Sequence, residues 1–235
     1  MMRRRNGKRR GLFVKLAATE VIDIAARSGL DFVVIDLEHS QLSEADALAL
    51  TRHAATIGLP ALARVPELDR GLVNRLLEAG ARGIQLSTVR SVAQVEALRT
   101  SMRYAPAGHR SVSLAHPGAG YGEVPLADYL AAEELNPPEL VAQIETAETD
   151  DPLPDVLAGV DVAFVGTTDL LVEVGMDDAR LRARVEAIAS AAEAAGVELG
   201  GFALDDARVT YDVSGSDVAL LRAAVAEHAR EPARA

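Results

Sequence analysis

The sequence contains no cysteine and no tryptophan, and aromatic residues make up only 3% of it. Without cysteine there are no disulfides and no thiolate metal sites, and the expected compartment is the cytoplasm. With so few aromatics, the core is expected to be built from Ala, Val, Leu and Ile, drawn from an apolar fraction of 49%. Lysine is nearly absent, two residues against 22 arginines; we read this as a bias of base composition rather than of function. No apolar run approaches the roughly 20 residues of a membrane-spanning helix. No Gly-x-Gly-x-x-Gly or Gly-x-x-x-x-Gly-Lys-Ser/Thr pattern occurs, so the sequence offers neither of those phosphate-binding motifs.

What is abundant is negative charge. The net charge is −11, and six basic residues (Arg3, Arg4, Arg5, Lys8, Arg9, Arg10) crowd the first ten positions. The rest of the chain therefore carries −17. It has no cationic face of the kind that releases counterions from nucleic acid, and neither a nucleic-acid nor a membrane partner is expected. Residues 1–10 read as a solvated, disordered basic tail. No apolar stretch of about 7–15 residues follows it in the manner of a signal peptide.

From Gly11 onward, strand and helix signals alternate without a break in composition. Apolar strand-like runs are Gly11–Leu16, Asp31–Asp36, Pro60–Val65, Gly83–Leu86, Leu140–Ala142, Val160–Val165 and Val197–Ala203, with a weak eighth at Tyr211–Ser214. Between them lie helix patterns with start and stop signals: a Thr19 cap with Ser28-Gly29 at the end, a Ser43/Asp46 capping box, Asp69 to Gly80, and Ser91 to Met102. Further patterns cover Asp128–Leu135, Asp178–Ala195, a short helix over Asp205–Val209 and a last one from Ser216-Asp217 to Ala229. Tyr104–Pro125 is long and irregular, which in a compact domain marks a functional segment. Eight such units in 235 residues fit one (β/α)₈ barrel, an α/β fold of about 250 residues. A doubly wound open sheet has the same spacing and stays open as an alternative.

Polar residues gather where these strands end, the side on which parallel α/β proteins build their sites. Asp36, Glu38 and His39 follow the second strand and Arg64 ends the third. Gln143 and Glu145 end the fifth, and Asp169 follows the sixth, 24 residues after Glu145. Two carboxylates from neighbouring strand ends suit a hard divalent cation, with water and substrate oxygens completing its shell. They also fit the plainer reading of acids placed at helix starts by the helix dipole. If a cation is held there, a 2-oxo acid can chelate it and an enolate can be stabilised. Arg64 would then neutralise the oxyanion, His39 would move the proton, and Gly166-Thr167-Thr168 would offer N–H groups to a carboxylate. His39 also fits a loop histidine bonded to Asp36, and Arg64 a surface ion pair. His53 and His228 read as structural; His109 and His116 lie in the irregular segment.

Six segments together resemble the HpcH/HpaI-type aldolases, metal-dependent class II enzymes acting on 2-oxo acids. They are Phe32–His39, Ala63–Pro66, Leu76–Ala81, Arg103–Arg110, Gln143–Thr146 and Phe164–Leu170. They occur in family order, within a span from about Gly11 to Leu221. The resemblance implies a single-domain (β/α)₈ barrel over 11–235 that forms a homo-oligomer, a hexamer or trimer, with a C-terminal helix often exchanged between subunits. It implies Glu145 and Asp169 as ligands of Mg²⁺ or Mn²⁺, ahead of Co²⁺ or Zn²⁺. It implies Arg64 on the keto oxygen, His39 as the proton carrier, and Asp36 and Gln143 orienting that network. Glu78 would support His39 from a neighbouring subunit. The implied reaction is reversible cleavage of a 4-hydroxy-2-oxo acid to pyruvate, or a related 2-oxo acid, and an aldehyde. The alternatives are a lyase of the citrate lyase β-subunit type acting on an acyl-CoA, and a catalytically silent barrel kept as a binding or assembly module. The chain departs from the family pattern in four places. Thr167 stands where Pro is usual and Glu78 where Asp is common. Gln85-Leu86-Ser87-Thr88 is more polar than in many members. The Phe202–Ser216 segment is short for a helix plus a strand.

Overall fold

The computed structural model describes residues 7–230. Its first strand, β1 (Arg9–Val14), begins two residues before the expected Gly11. It is followed by α1 (Thr19–Arg27), β2 (Phe32–Asp36), α2 (Glu44–Ile57), β3 (Ala61–Val65), α3 (Arg70–Ala79), β4 (Gly83–Leu86) and α4 (Val92–Met102). The irregular segment holds one short 3₁₀ turn, Pro117–Gly122, before α5 (Leu126–Leu135). Then come β5 (Glu139–Ile144), α6 (Leu153–Val156), β6 (Val162–Val165), α7 (Thr167–Glu173), α8 (Asp178–Ala195), β7 (Glu198–Phe202), β8 (Val209–Ser216) and α9 (Asp217–His228).

The eight strands pair in sequence order, all parallel, and β1 closes on β8. The fold is a (β/α)₈ barrel, not an open sheet. Local chemistry explains most boundaries. Ser43 and Asp46 form the expected capping box of α2, Ser91 and Gln94 that of α4, and Asp69 caps α3. The helices α2, α3 and α8 stop at left-handed Gly58, Gly80 and Gly196, a backbone state that costs glycine little. Thr19 makes no cap; it is the first helical residue, after Ala18.

Two apolar layers result from the strands' two-residue period. Outward residues such as Val33, Ile35, Ala63, Ile84 and Val165 pack under the helices. Inward residues form a second core: Phe13, Phe32, Val34, Leu62, Val141, Val162, Phe164, Tyr211 and Val213. The aromatics are few, but they concentrate here, with the Phe32 and Tyr211 ring centroids 4.4 Å apart. The space is made by Gly11, where a methyl group would lie 2.3 Å from the Phe32 ring.

Two expectations are corrected. Arg9 and Arg10 do not belong to a disordered tail. Arg9 is buried at the N-terminal end of the barrel, 3.0 Å from Glu139, 3.5 Å from Glu198 and 5.0 Å from the centre of the Tyr211 ring. Arg3, Arg4 and Arg5 lie outside the described residues. There is also no helix over Asp205–Val209. The Asp206 carboxylate accepts the Arg208 backbone N–H at 2.8 Å and pairs with its guanidinium, which favours a turn over a helix. The connection from β7 to β8 is thus a bare loop, yet β7 and β8 pair and the barrel closes.

Candidate active site

The inward period continues past the apolar core to the C-terminal strand ends, where the inward positions turn polar. Strand register sets Asp36 beside Arg64 and Arg64 beside Gln85. Asp36 is fully buried. Its Oδ1 accepts the Arg64 Nε–H at 2.9 Å and the backbone N–H groups of Glu38 and His39 at 3.1 Å each. Its Oδ2 accepts from Arg64 Nη2 at 2.6 Å and from Lys15 Nζ at 2.8 Å. Burial alone would raise this carboxyl. The hydrogen bonds and charge of Arg64, aided by Lys15 and the His39 N–H, outweigh burial and hold it at about 2. Arg64 is therefore no surface ion pair. Its Nη1 also lies 3.2 Å from Glu38, and its guanidinium sits 4.4 Å from the centre of the Phe13 ring.

Glu145 is held from two sides. Oε1 accepts from the Thr88 backbone N–H at 2.8 Å and from its hydroxyl at 2.7 Å, while Oε2 accepts from the Gln143 amide. Gln143 in turn accepts from Gln85 at 2.6 Å, so a relay of amides crosses from β4 to the Glu145 carboxylate. Thr88 makes its bonds at φ 51°, a strained conformation for a β-branched residue. Behind Glu145, Gly166 leaves space: a methyl group there would lie 2.5 Å from Glu145 Oε2 and 2.6 Å from its Cβ. Asp169, in the first turn of α7, is exposed and takes no side-chain hydrogen bond from the described residues. Glu145 and Asp169 line one opening with Glu38, His39 and Thr88.

This donor set fits a hard divalent ion. It consists of carboxylate oxygens, one held by neighbours and one free to turn. Among the described residues no cluster of three or more His, Asp and Glu side chains is placed to bind a metal. Water and substrate oxygens would fill most of the shell of such an ion.

The adjoining cavity, of 310 Å³, runs from Asp169 and the start of α7 past Arg64 and His39 to Lys15 and Phe202. The His39 side chain is 54% exposed, and its Nε2 lies 3.8 Å from Glu38 Oε2. Only its backbone N–H bonds Asp36, so the ring is free to face a ligand. Of the three residues expected to offer N–H groups, Gly166 does not, because its N–H donates to Ile144 of β5 at 3.1 Å. Thr167 and Thr168 remain, and both line the cavity. Glu78 is not brought to this mouth. It lies in the last turn of α3, toward the opposite end of the barrel, and accepts from Asn74 at 3.0 Å.

Three contributors escaped the sequence reading of the site. Ser87 donates to Glu38 at 2.6 Å, Thr88 orients Glu145, and Lys15 caps Asp36. The same strand-end logic applied to β1 would have found Lys15, a cation directly after an apolar strand.

Residues 9–218 match the HpcH/HpaI aldolase/citrate lyase family. The chain is 33% identical over 187 residues to a 4-hydroxy-4-methyl-2-oxoglutarate aldolase of Hapsidospora irregularis, covering 77% of this chain and 69% of the relative. It is 32% identical over 207 residues to a hydroxypyruvate/pyruvate aldolase of Paraburkholderia phytofirmans, covering 83% and 78%. The crystal structure of an HpcH/HpaI aldolase from Desulfitobacterium hafniense superposes with a TM-score of 0.86 at 26% identity, covering 97% of this chain and 95% of the other. The protein belongs to the HpcH/HpaI aldolase/citrate lyase family.

Proposed function

We propose that the protein is a divalent-metal-dependent carbon–carbon lyase. It reversibly cleaves a 4-hydroxy-2-oxo acid to pyruvate, or a related 2-oxo acid, and an aldehyde. The observation that carries this reading is a single mouth combining the Glu145/Asp169 pair, a buried Arg64 fixed by Asp36, and an exposed His39. The names of the two relatives, both aldolases, support it.

Glu145 and Asp169 would hold the ion, Mg²⁺ or Mn²⁺, which when bound supplies Lewis acidity to the carboxylate and keto oxygens of the substrate. Arg64 spends three N–H groups on Asp36 and Glu38 and keeps two for the keto oxygen, where negative charge grows as the C3–C4 bond breaks. His39 Nε2 takes the proton of the 4-hydroxyl group as the aldehyde forms. The electron pair of the broken bond passes to the enolate, whose C3 is then protonated to give pyruvate. Thr167 and Thr168 present first-turn N–H groups to the substrate carboxylate. The barrel closes despite its short β7–β8 loop, which removes the feature that favoured a silent barrel.

A homo-oligomer is part of the proposal. Val218, Leu220, Leu221 and Val225 of α9 are exposed, an apolar surface suited to a second copy. Only a neighbouring copy can bring a Glu78 to the mouth that holds His39. Light scattering tests the assembly. A cytoplasmic location, where pyruvate is plentiful, completes the reading, and cell fractionation tests it.

The deciding experiment titrates metal-stripped protein with pyruvate, with and without Mn²⁺, and then screens aldehydes for addition to pyruvate. Metal-dependent binding followed by aldol product supports the assignment. Metal uptake without pyruvate binding redirects it to an acyl-CoA substrate, and folded protein that takes up no metal overturns it.

A further inference from the structure

We infer that Lys15 makes the mouth selective for substrates that carry a second carboxylate, at the aldehyde-derived end. The inference rests on the aldolase reading and deepens it. One cavity extends from Asp169 at the end of β6 to Lys15 at the end of β1, strands on different sides of the ring. A 2-oxo acid whose head lies at Glu145 and Asp169 therefore points its tail toward β1. The wall it meets there is formed by Phe13, Phe202 and Ser216, whose hydroxyl caps α9, and the one cation in it is the Lys15 ammonium.

The ammonium is placed, not merely present. The Lys15 and Leu16 backbone N–H groups both donate to Asp217 Oδ2 at 2.9 Å, which pins the turn that carries Lys15 to the start of α9. Nζ donates to Asp36 Oδ2 at 2.8 Å and to the His39 carbonyl at 2.9 Å. An ammonium has three N–H groups, so one remains. The side chain is 22% exposed, and its exposed part lines the cavity. Asp36 does not depend on Lys15 for neutralisation, because Arg64 already binds both of its oxygens. Five carboxylates (Asp36, Glu38, Glu145, Asp169, Glu173) face two cations, Arg64 and Lys15, around this mouth. Without Lys15, the β1 side would repel an anionic tail. With it, the tail gains a charge-assisted hydrogen bond in a confined space.

The test compares kcat/KM for aldol addition of pyruvate to glyoxylate and to glycolaldehyde, two acceptors of similar size of which only the first is charged. It uses wild type, Lys15→Met and Lys15→Arg. Loss caused by disturbing Asp36 affects both acceptors and cancels in their ratio. The expected result is a wild-type preference for glyoxylate that falls roughly 10- to 100-fold in Lys15→Met and is largely kept in Lys15→Arg. An unchanged ratio, or a wild-type preference for glycolaldehyde, overturns the inference. Calorimetry on Mn²⁺-loaded protein with 2-oxoglutarate and 2-oxovalerate gives a readout without turnover. Tighter binding of the dicarboxylate, lost in Lys15→Met, supports the Lys15 assignment even if no aldol product forms, in which case the aldolase reading alone falls. Aldol activity indifferent to Lys15 with both acceptors removes the assignment and leaves the aldolase reading intact.

Discussion

Replacing Gly166 with alanine adds one methyl group and should disable the proposed metal site. Gly166 has φ −84°, outside the left-handed region that favours glycine, so the main effect is one of contact. The new carbon would lie 2.5 Å from Glu145 Oε2 and 2.6 Å from Glu145 Cβ, where ordinary contact begins at 3.4 Å. Glu145 must retreat by about 0.9 Å, which disturbs its bonds to Thr88 and Gln143. A displaced ligand of this kind lowers metal affinity roughly 10- to 100-fold, and an error of about 1 Å in substrate position costs about 10²-fold in rate. The crowding should cost about 1–3 kcal/mol of stability, leaving the protein folded at 25 °C. Calorimetric titration of the stripped protein with MnCl₂, beside a thermal melt, measures both effects. Gly215→Ala is the control, since a methyl group there meets only Leu12 at 3.7 Å and Leu220 at 4.0 Å. If folded Gly166→Ala bound Mn²⁺ as tightly as wild type, Glu145 could not be a ligand in the position described.

Thr88→Val keeps the shape and the backbone donor but deletes the hydroxyl that holds Glu145 Oε1; Mn²⁺ affinity should fall about 10-fold with little change in melting temperature. The Asp36 carboxyl lies at about 2, against an ordinary value of 3.8, so its contribution of about 2.4 kcal/mol is complete above pH 4–5 and disappears as the pH falls toward 2. Urea unfolding between pH 5 and 2.5 should show this loss, and Asp36→Asn should flatten that part of the profile; a wild-type profile no steeper than the variant's would refute the assignment. Arg9→Met leaves the half-buried Glu139 without its guanidinium partner and should destabilise the protein by about 1–3 kcal/mol in the same assay. A solvated tail residue would give no change.

The sequence marks the strand-end residues of the candidate site more plainly than it marks the barrel's closure. Asp36, Arg64, Gln143 and Glu145 stand at the ends of apolar runs, and the rule that such residues face a ligand needs no knowledge of how many strands surround them. Closure depends on β1 finding β8, a long-range pairing that leaves no local pattern; an open sheet would show the same spacing. Arg9 was hidden for a related reason. Inside a run of basic residues, the inward alternation Arg9, Gly11, Phe13 is not visible unless the partners Glu139 and Tyr211 are known. The turn at Asp206–Arg208 misled because its composition suits a helix, whereas its side chains bond the local backbone instead. Thr88 lay in a segment recognised as unusually polar, but its bond to Glu145 joins residues 57 positions apart.

The closing contact of Arg9 with Glu139 has a consequence for the order of assembly. One edge of β1 pairs with β2, but its Arg9 waits for a partner 130 residues later, and its other edge waits for β8, whose Tyr211 stands opposite Arg9. During synthesis, therefore, β1 is an unpaired edge carrying a cation destined for burial, and the later βα units must form before that charge can leave water. Long-range pairing of this kind makes folding slow. A nascent chain released before β8 would retain an open edge of the sort that invites pairing with another copy.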